Sequence, residues 1–362
     1  MNAKKVIIKF SEFLFVMFLI LSSNSIYYTS ADHDYHISEL LVFSIILMFI
    51  LRILLKMVDT KKIVTAISFL IFYIPFMILF SLVNNNQNTY NFFCIFIILF
   101  SLCYLLYKTS KSEINIINEI LEMYVNIVFF IALFSLIMYI LGPILNIIKP
   151  TGIENIEWGG LKTNYSYFNV YFSRQTEMLF EKNIFRNTAI FTEGPMYSLV
   201  LTIALAIENF LLYKKNKRKT FVLVIAIFTT ISTTGIIVTS LIMGITFINE
   251  NKNNKLMKYF KVILFPVIIM GLIGISLYFF NAKKGTDSYN TRIDDYKSAF
   301  LAWKQHPIFG NGYGSNEAIK KYMSSFRNDN KGLSNSIMVV LAQGRYCFIF
   351  FLFNFCNSCV GI

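Results

Sequence analysis

"FVLVIAIFTTISTTGIIVTSLIMGITFIN", residues 221–249, reads either as one helix or as two, and the fold turns on the choice. As a single α-helix it would rise about 42 Å, too long for a hydrocarbon core of about 30 Å without strong tilt. Its centre, Thr229-Thr230-Ile231-Ser232-Thr233-Thr234-Gly235, is a cluster suited to a turn. The flanking charges settle the matter. "YKKNKRKT" (213–220) precedes the segment, and Lys252, Lys255, Lys258 and Lys261 follow it. Basic loops stay in the cytoplasm, so the segment leaves and returns on the same side. The sequence predicts a hairpin of two short helices turning at Ser232–Gly235.

The rest of the chain fits this reading. Of its 362 residues, 56% are hydrophobic and 15% charged, against about a quarter charged in a soluble domain. The mean hydropathy is +0.58. Further spans are predicted at 6–22, 37–56, 63–83, 91–107, 119–141, 188–212, 262–280 and 333–355. With the hairpin they make an all-α, polytopic integral membrane bundle of about ten spans, one membrane domain over 1–362. Lys4, Lys5 and Lys9 place the N-terminus inside. Arg52, Lys56, Lys61 and Lys62 do the same for the second loop, and Lys108 and Lys111 for the fourth. Residues 23–36, with Asp32 and Asp34, and 84–90 ("NNNQNTY") are left outside. So are two long extracytoplasmic loops, 142–187 and 281–332, whose length and mixed composition predict order and work. The first apolar run is read as a retained helix, because "SSNSIYYTS" (22–30) is a poor cleavage site.

The net charge of +13 has its cause in the basic loops, so nucleic acid is not expected. Of five cysteines, Cys94, Cys103 and Cys347 sit in apolar runs, and Cys356-x-x-Cys359 lacks a second pair. Neither disulfides nor a metal site is expected, and no Walker loop or paired-carboxylate signature is present.

The chemistry then rests on a few polar side chains. Guanidinium groups stay charged and grip phosphate oxygens in a bidentate fork. Arg174, Arg186, Arg292 and Arg327 fall outside the predicted spans, and Arg345 within one. Arg186 and Arg292 lie near the outer headgroup plane, where they suit either a lipid diphosphate or interfacial anchoring. His33 and His36 look solvated. His306 can serve as a general base or simply pack in its loop. Glu193, in "FTEGPMYS" (191–198), is a functional carboxylate at the membrane edge or a helix cap. The glycines of "GNGYGSN" (310–316) let backbone approach a ligand or another helix closely.

Three markers together resemble a known family. "Arg292-x-x-x-Tyr296 … Trp303-Lys-Gln-His306-Pro-Ile-Phe-Gly310-Asn-Gly312-Tyr-Gly314" looks like the hallmark of the O-antigen polymerase and O-antigen ligase superfamily (Wzy-type). "Arg186-Asn-Thr-Ala-Ile-Phe191-Thr-Glu193-Gly-Pro195" resembles the second marker, with a glycine inserted between Glu193 and Pro195. "Leu333-Ser334-Asn335-Ser336 … Gly344" resembles the third. The resemblance implies a multi-pass enzyme of the bacterial cytoplasmic membrane. It would move a growing glycan from undecaprenyl diphosphate at the outer face, with no cofactor, metal or nucleotide sugar. Its partners would be the undecaprenyl-diphosphate-linked oligosaccharide and membrane lipid, with a chain-length regulator and a flippase of the same pathway. Arg186, Arg292, His306 and Glu193 are the implied catalytic set, and Arg174, Trp303, Tyr313, Asn316 and Asn335 the substrate-binding set.

Ser334 stands where ligases of the family place a histidine before Asn, which favours a polymerase of repeat units for capsule or O-antigen. A glycan ligase is the alternative within enzymes. A flippase or transporter is the alternative from another class, although repeated halves and polar residues within spans are missing. Family members usually continue through further helices past the position of Gly344, whereas this sequence ends at Ile362. Arg345 in mid-span would cost about 2.5–3.5 kcal/mol, and Cys347, Cys356 and Cys359 crowd behind it. The expectation is a reading frame lost near Gly344; a partner for Arg345, such as Glu208, is the competing account.

Overall fold

The computed structural model describes residues 3–83, 89–110, 113–157, 160–174, 176–179, 182–250, 287–307, 310–327 and 336–343, with single positions 271, 274 and 333. The predicted span 262–280 and the part of 333–355 beyond Gln343 lie outside them, as do Trp158, Ser334, Asn335, Gly344 and Arg345. Helix dominates, and the chain divides into two compact units. Unit 1 comprises Met1–Val58 and Ser110–Leu277, and unit 2 Asp59–Thr109 and Tyr278–Ile362.

Unit 1 is built on α1 (Ala3–Leu21), a short α2 (Ile26–Thr29) and α3 (Ile37–Leu54). In unit 2, α4 (Thr60–Val83), α5 (Thr89–Phe92) and α6 (Phe100–Thr109) follow, the last two joined by a π-helical stretch, Phe93–Leu99. Unit 1 resumes with α7 (Glu113–Tyr139), α8 (Gly194–Ala206), α9 (Lys217–Thr229) and α10 (Thr233–Glu250). Five described helical stretches are long and apolar enough to cross a membrane: Ile37–Leu54, Thr60–Val83, Thr89–Thr109, Ile116–Ile144 and Gly194–Leu211. This is a helical, multi-pass membrane protein. Roughly ten spans are expected; of these, 262–280 and most of 333–355 fall outside the described residues, and the others missing from the five have physical reasons. Helix α1 carries Lys4, Lys5, Lys9 and Glu12 in 19 residues, and the arms of the hairpin are short.

The hairpin itself is present. Asn216 caps α9, its side chain accepting from the Arg218 N–H at 3.0 Å, so the helix starts inside the basic run. Helix α9 ends at Thr229 and α10 begins at Thr233, with Ile231 between them in the left-handed region (φ 52). The turn therefore lies at 230–232, ahead of the expected Ser232–Gly235. Gly235 serves packing instead: a β-carbon there would stand 1.7 Å from the Ser198 hydroxyl of α8. Small residues at such a crossing let two helix backbones approach closely. Helix α8 is the centre of unit 1, with 61% of its span buried against 22–33% for the other four.

The segment 142–187 departs from the all-α expectation. After a π-helical extension of α7 (Ile140–Ile144), it folds into β1 (Gly152–Glu157), β2 (Leu161–Tyr167), β3 (Tyr171–Ser173), β4 (Thr176–Leu179) and β5 (Lys182–Phe185). Strands β1-β2-β3 form one antiparallel sheet and β4-β5 a separate hairpin. The composition explains it, since alternating, β-branched and aromatic residues such as "LKTNYSY" and "YFS" suit a pleated surface. The alternation is inverted, however. Ile153, Leu161 and Tyr165 are 60%, 78% and 53% exposed, whereas Glu154, Asn164 and Ser166 are buried. A half-buried sheet usually turns its apolar face inward.

The link between α1 and α3 straps this sheet down. The Ile26 N–H donates to the Ile190 carbonyl (2.9 Å) and the Ala31 N–H to that of Asn155 (2.8 Å), beside bridges Ser25↔Phe191 and Ser30↔Ile156. The Asp32 carboxylate accepts from the Asn155 backbone N–H (2.7 Å) and side-chain amide (3.2 Å). Those two bonds hold its pKa below the ordinary aspartate value. His33 and His36 are exposed, as expected, yet neither stands alone. His33 Nδ1 lies 3.3 Å from the buried Glu154 carboxylate, and His36 Nδ1 3.5 Å from Asp34.

In unit 2, Tyr73 and Phe80 of α4 pack with Phe92 and the aromatic side chains of the π-helical stretch. Helix Asp287–Gln305 packs against helix Ser336–Gln343 through Ala299, Ala302 and Ala342.

Candidate functional site

The inverted sheet of unit 1 has a cavity on its polar side. Period-two alternation along β2 turns Lys162 and Asn164 to the same face. The end of β3 delivers Arg174, and the residues before α8 deliver Thr192 and Glu193. With Ile156 and Thr176 they line a space of about 290 Å³. Glu193 stands at the N-cap position of α8 with extended backbone (φ −147, ψ 152), and Pro195 follows in the first turn. Its carboxylate makes no capping bond, contrary to the helix-cap alternative, and lies 3.7 Å from the Lys162 ammonium. Arg174 is exposed and has no partner among the described residues. Two further groups stand out: Asn164 Nδ2 and Thr192 Oγ1 are buried without a hydrogen-bond partner. A buried unmade hydrogen bond costs roughly 1–3 kcal/mol.

Arg186 is not in that cavity. Its Nε donates to the Thr230 carbonyl (2.9 Å) and its Nη2 to that of Ile231 (3.1 Å). These oxygens close the C-terminal end of α9, where helix carbonyls carry partial negative charge. The glycine inserted between Glu193 and Pro195 now has a reason. A β-carbon on Gly194 would sit 2.8 Å from the Thr230 carbonyl oxygen and 2.9 Å from Arg186 Nε. Asn187 completes the clamp: fully buried, it donates to Ser135 Oγ (3.2 Å) and Thr229 Oγ1 (3.1 Å), while its backbone N–H donates to the Thr229 carbonyl (3.0 Å).

In unit 2, helix Asp287–Gln305 segregates its charges. Arg292 is exposed, with no partner among the described residues, whereas Asp294 and Asp295 face inward. Both aspartates meet Arg327, which is 2% exposed. Its Nη1 donates to Asp295 Oδ1 (2.8 Å) and the Thr291 carbonyl (3.1 Å), and lies 3.7 Å from Asp294. Trp303 stacks obliquely on Phe300, centroids 5.5 Å apart, and the exposed His306 follows the helix end.

The glycine-rich run binds helices. Gly310, Gly312 and Gly314 have φ of 60°, 93° and 74°, which side chains with a β-carbon rarely adopt. The resulting path brings the Asn311 N–H to the Ala342 carbonyl (3.1 Å) and the Gly312 N–H to that of Gln343 (3.0 Å). The Asn311 amide adds bonds to Ala302 (3.0 Å) and Ala342 (2.9 Å). The end of helix Ser336–Gln343 is thereby capped. Tyr313 packs edge-on against Phe96 at 5.0 Å, and Asn316 Oδ1 accepts from Gln343 Nε2 (2.9 Å).

The structure thus brings Arg174 and Glu193 to one cavity and places Arg292, Trp303 and His306 along one helix and its end. Arg186, Tyr313 and Asn316 are engaged in holding the fold, and Asn335 lies outside the described residues. Lys162, Asn164 and Thr192 escaped the sequence reading. The one signal for Lys162 and Asn164 was the polar residues at every second position of "LKTNYSY", which look like ordinary solvent-facing strand positions.

Residues 220–344 match the family described as O-antigen ligase. No curated protein and no solved structure matches the chain. The matched segment contains most of the hairpin, the helix bearing Arg292 and the glycine-rich cap. Over this segment, about a third of its length, the chain is similar to the O-antigen ligase family.

Proposed function

We propose that the chain polymerises undecaprenyl-diphosphate-linked repeat units into a surface polysaccharide at the outer face of the bacterial cytoplasmic membrane. The observation that carries this reading is the cavity of unit 1, where a carboxylate not engaged in capping, Glu193, stands beside Lys162. In the reaction an acceptor sugar hydroxyl attacks the anomeric carbon of the lipid-linked glycan. The new C–O bond forms as the bond to the diphosphate breaks, and the hydroxyl proton passes to Glu193. The departing lipid diphosphate carries the negative charge, which a guanidinium suits, and the resemblance makes Arg292 the arginine to test by substitution. Arg186 acts as a positioning residue through the α9–α10 turn. His306 is the rival base. The second reading, a ligase, is disfavoured by Ser334, which replaces the histidine that ligases of the family carry.

The test is turnover by the purified full chain on a lipid diphosphate-linked repeat unit. A ladder of lengthening products supports the polymerase; transfer of one block to a different acceptor supports the ligase. Glu193→Gln and Arg292→Ala should each lower the rate by about two to three decades, and Arg292→Lys should rescue poorly because it lacks the fork. Normal turnover by Glu193→Gln, with loss in His306→Gln, would move the base to His306.

A further inference from the structure

We infer that the cavity of unit 1 binds an acidic monosaccharide, the sugar unit that presents the attacking hydroxyl. This rests on the reading of the chain as a glycan transferase and names the chemistry of its acceptor. The first reason is the sheet. Strand β2 turns Lys162 and Asn164 to one face, and that face lines the cavity, whereas the buried Glu154 is met by Ser30 and His33 of the strap. The second is the pair of buried groups left open. Asn164 and Thr192 are each 3% exposed and border the cavity, and their Nδ2 and Oγ1 atoms, covered from solvent, have no hydrogen-bond partner among the described residues. Native proteins rarely leave such atoms unsatisfied. Turned toward the space, they would meet a ligand rich in hydroxyl and carbonyl oxygens.

Charge then selects among the candidates. Lys162 is already matched by Glu193, so Arg174 remains as an uncompensated cation at the cavity. A single carboxylate on the ligand would answer it in a charge-assisted, two-pronged bond. Glu193 accepts hydrogen bonds and needs a donor from the ligand, which sugar hydroxyls provide. A diphosphate has no such donors when ionised, and its oxygens would crowd negative charge against Glu193. A neutral sugar would leave Arg174 unanswered. Among the described lining residues Ile156 is the one apolar side chain and none is aromatic, so they offer a neutral ring no stacking face. At about 290 Å³ the cavity lies at the small end of ligand pockets, suited to a sugar unit and not to a long chain. The hydroxyl bonded to Glu193 is the one that attacks, so recognition and proton removal fall to the same carboxylate.

The test is binding without turnover. The full chain in detergent is examined by saturation-transfer NMR with methyl glucuronoside, methyl galacturonoside, methyl glucoside and inorganic pyrophosphate. At least one uronoside should show transfer, the glucoside should bind at least tenfold more weakly, and pyrophosphate should not displace the uronoside. Arg174→Ala should weaken uronoside binding at least tenfold; the side chain is exposed, so thermal unfolding should be unchanged. Asn164→Asp, equal in size but negatively charged, should also weaken it. Silence from both uronosides, equal binding of the glucoside, displacement by pyrophosphate, or wild-type affinity in Arg174→Ala would overturn the inference. These outcomes leave the polymerase reading standing, because product ladders test it separately. A chain that binds uronoside yet transfers one block to a foreign acceptor loses the polymerase reading alone.

Discussion

Two segments of this chain use polar residues in opposite ways. Several polar residues of 287–327 in unit 2 are satisfied within that unit: Arg327 with Asp294 and Asp295, Asn311 with two carbonyls, Asn316 with Gln343. Residues 152–193 of unit 1 leave theirs open, with Arg174 unmatched and Asn164 and Thr192 without partners around a cavity. The first is dense in family markers, yet most of its distinctive residues hold helices together. The second is plain in sequence, yet it keeps the unsatisfied chemistry. A marker dense in Gly, Asn and Arg can report how a backbone is tied as readily as where a substrate sits.

The comparison can be broken most directly at its arginines. Arg327→Ala would strand Asp294 and Asp295 in a buried site, a loss of about 3–5 kcal/mol, read as a lower unfolding temperature in detergent. Arg174→Ala, the same chemical change in unit 1, should shift stability by no more than about 0.5 kcal/mol. Equal shifts in the two variants would dissolve the distinction. A middle-sized effect is expected at the α9–α10 turn. Gly194→Ala drives a β-carbon against the Thr230 carbonyl and Arg186, and Arg186→Ala leaves carbonyls of α9 without a donor; each should cost about 1–3 kcal/mol. The double variant should cost less than the sum, since both remove one clamp. If the penalties simply add, Arg186 has a separate role at the substrate.

The smallest effect is a pH dependence in the strap of unit 1. Asp32 has a folded-state pKa lowered by the Asn155 N–H and amide. A depressed carboxylate contributes stability that is whole above its unfolded value, about 3.9, and fades as pH falls through the lower folded value. Accessibility of a cysteine placed at Ala31 should therefore rise on acidification, and Asp32→Asn should flatten that rise. An unchanged pH profile in Asp32→Asn would assign the strap to its backbone bonds alone.

Much of the helical plan was legible because apolar runs and basic loops are one-dimensional signals. The starts of α3 and α4 and the existence of the hairpin followed from them. The position of the turn did not, because Gly235 looks like a turn residue until Ser198 is known to press against it. Glu193 was legible as a carboxylate at a predicted span entrance, and Arg174 as a cation in a predicted outer loop. Lys162, Asn164 and Thr192 were not, since whether a strand's polar face looks toward water or toward a cavity depends on what covers it. Arg186 was legible as important but not in its role: its partners are carbonyl oxygens, which every residue carries and no side-chain pattern announces.

The strap joining α1 to α3 has a consequence for the order of assembly. Two buried apolar side chains of the sheet, Ile156 and Phe172, pack with Ile26 of the strap, so part of its hydrophobic cover arrives only with the strap. Its ties are to residues 26 and 31, made well over a hundred residues earlier on the growing chain. Contacts so distant in sequence form late and slowly. The strap therefore waits, its amides on water, until 152–190 have been synthesised and delivered to it. The cavity comes into being at that closure, as a late product of biogenesis, after the helices that support it.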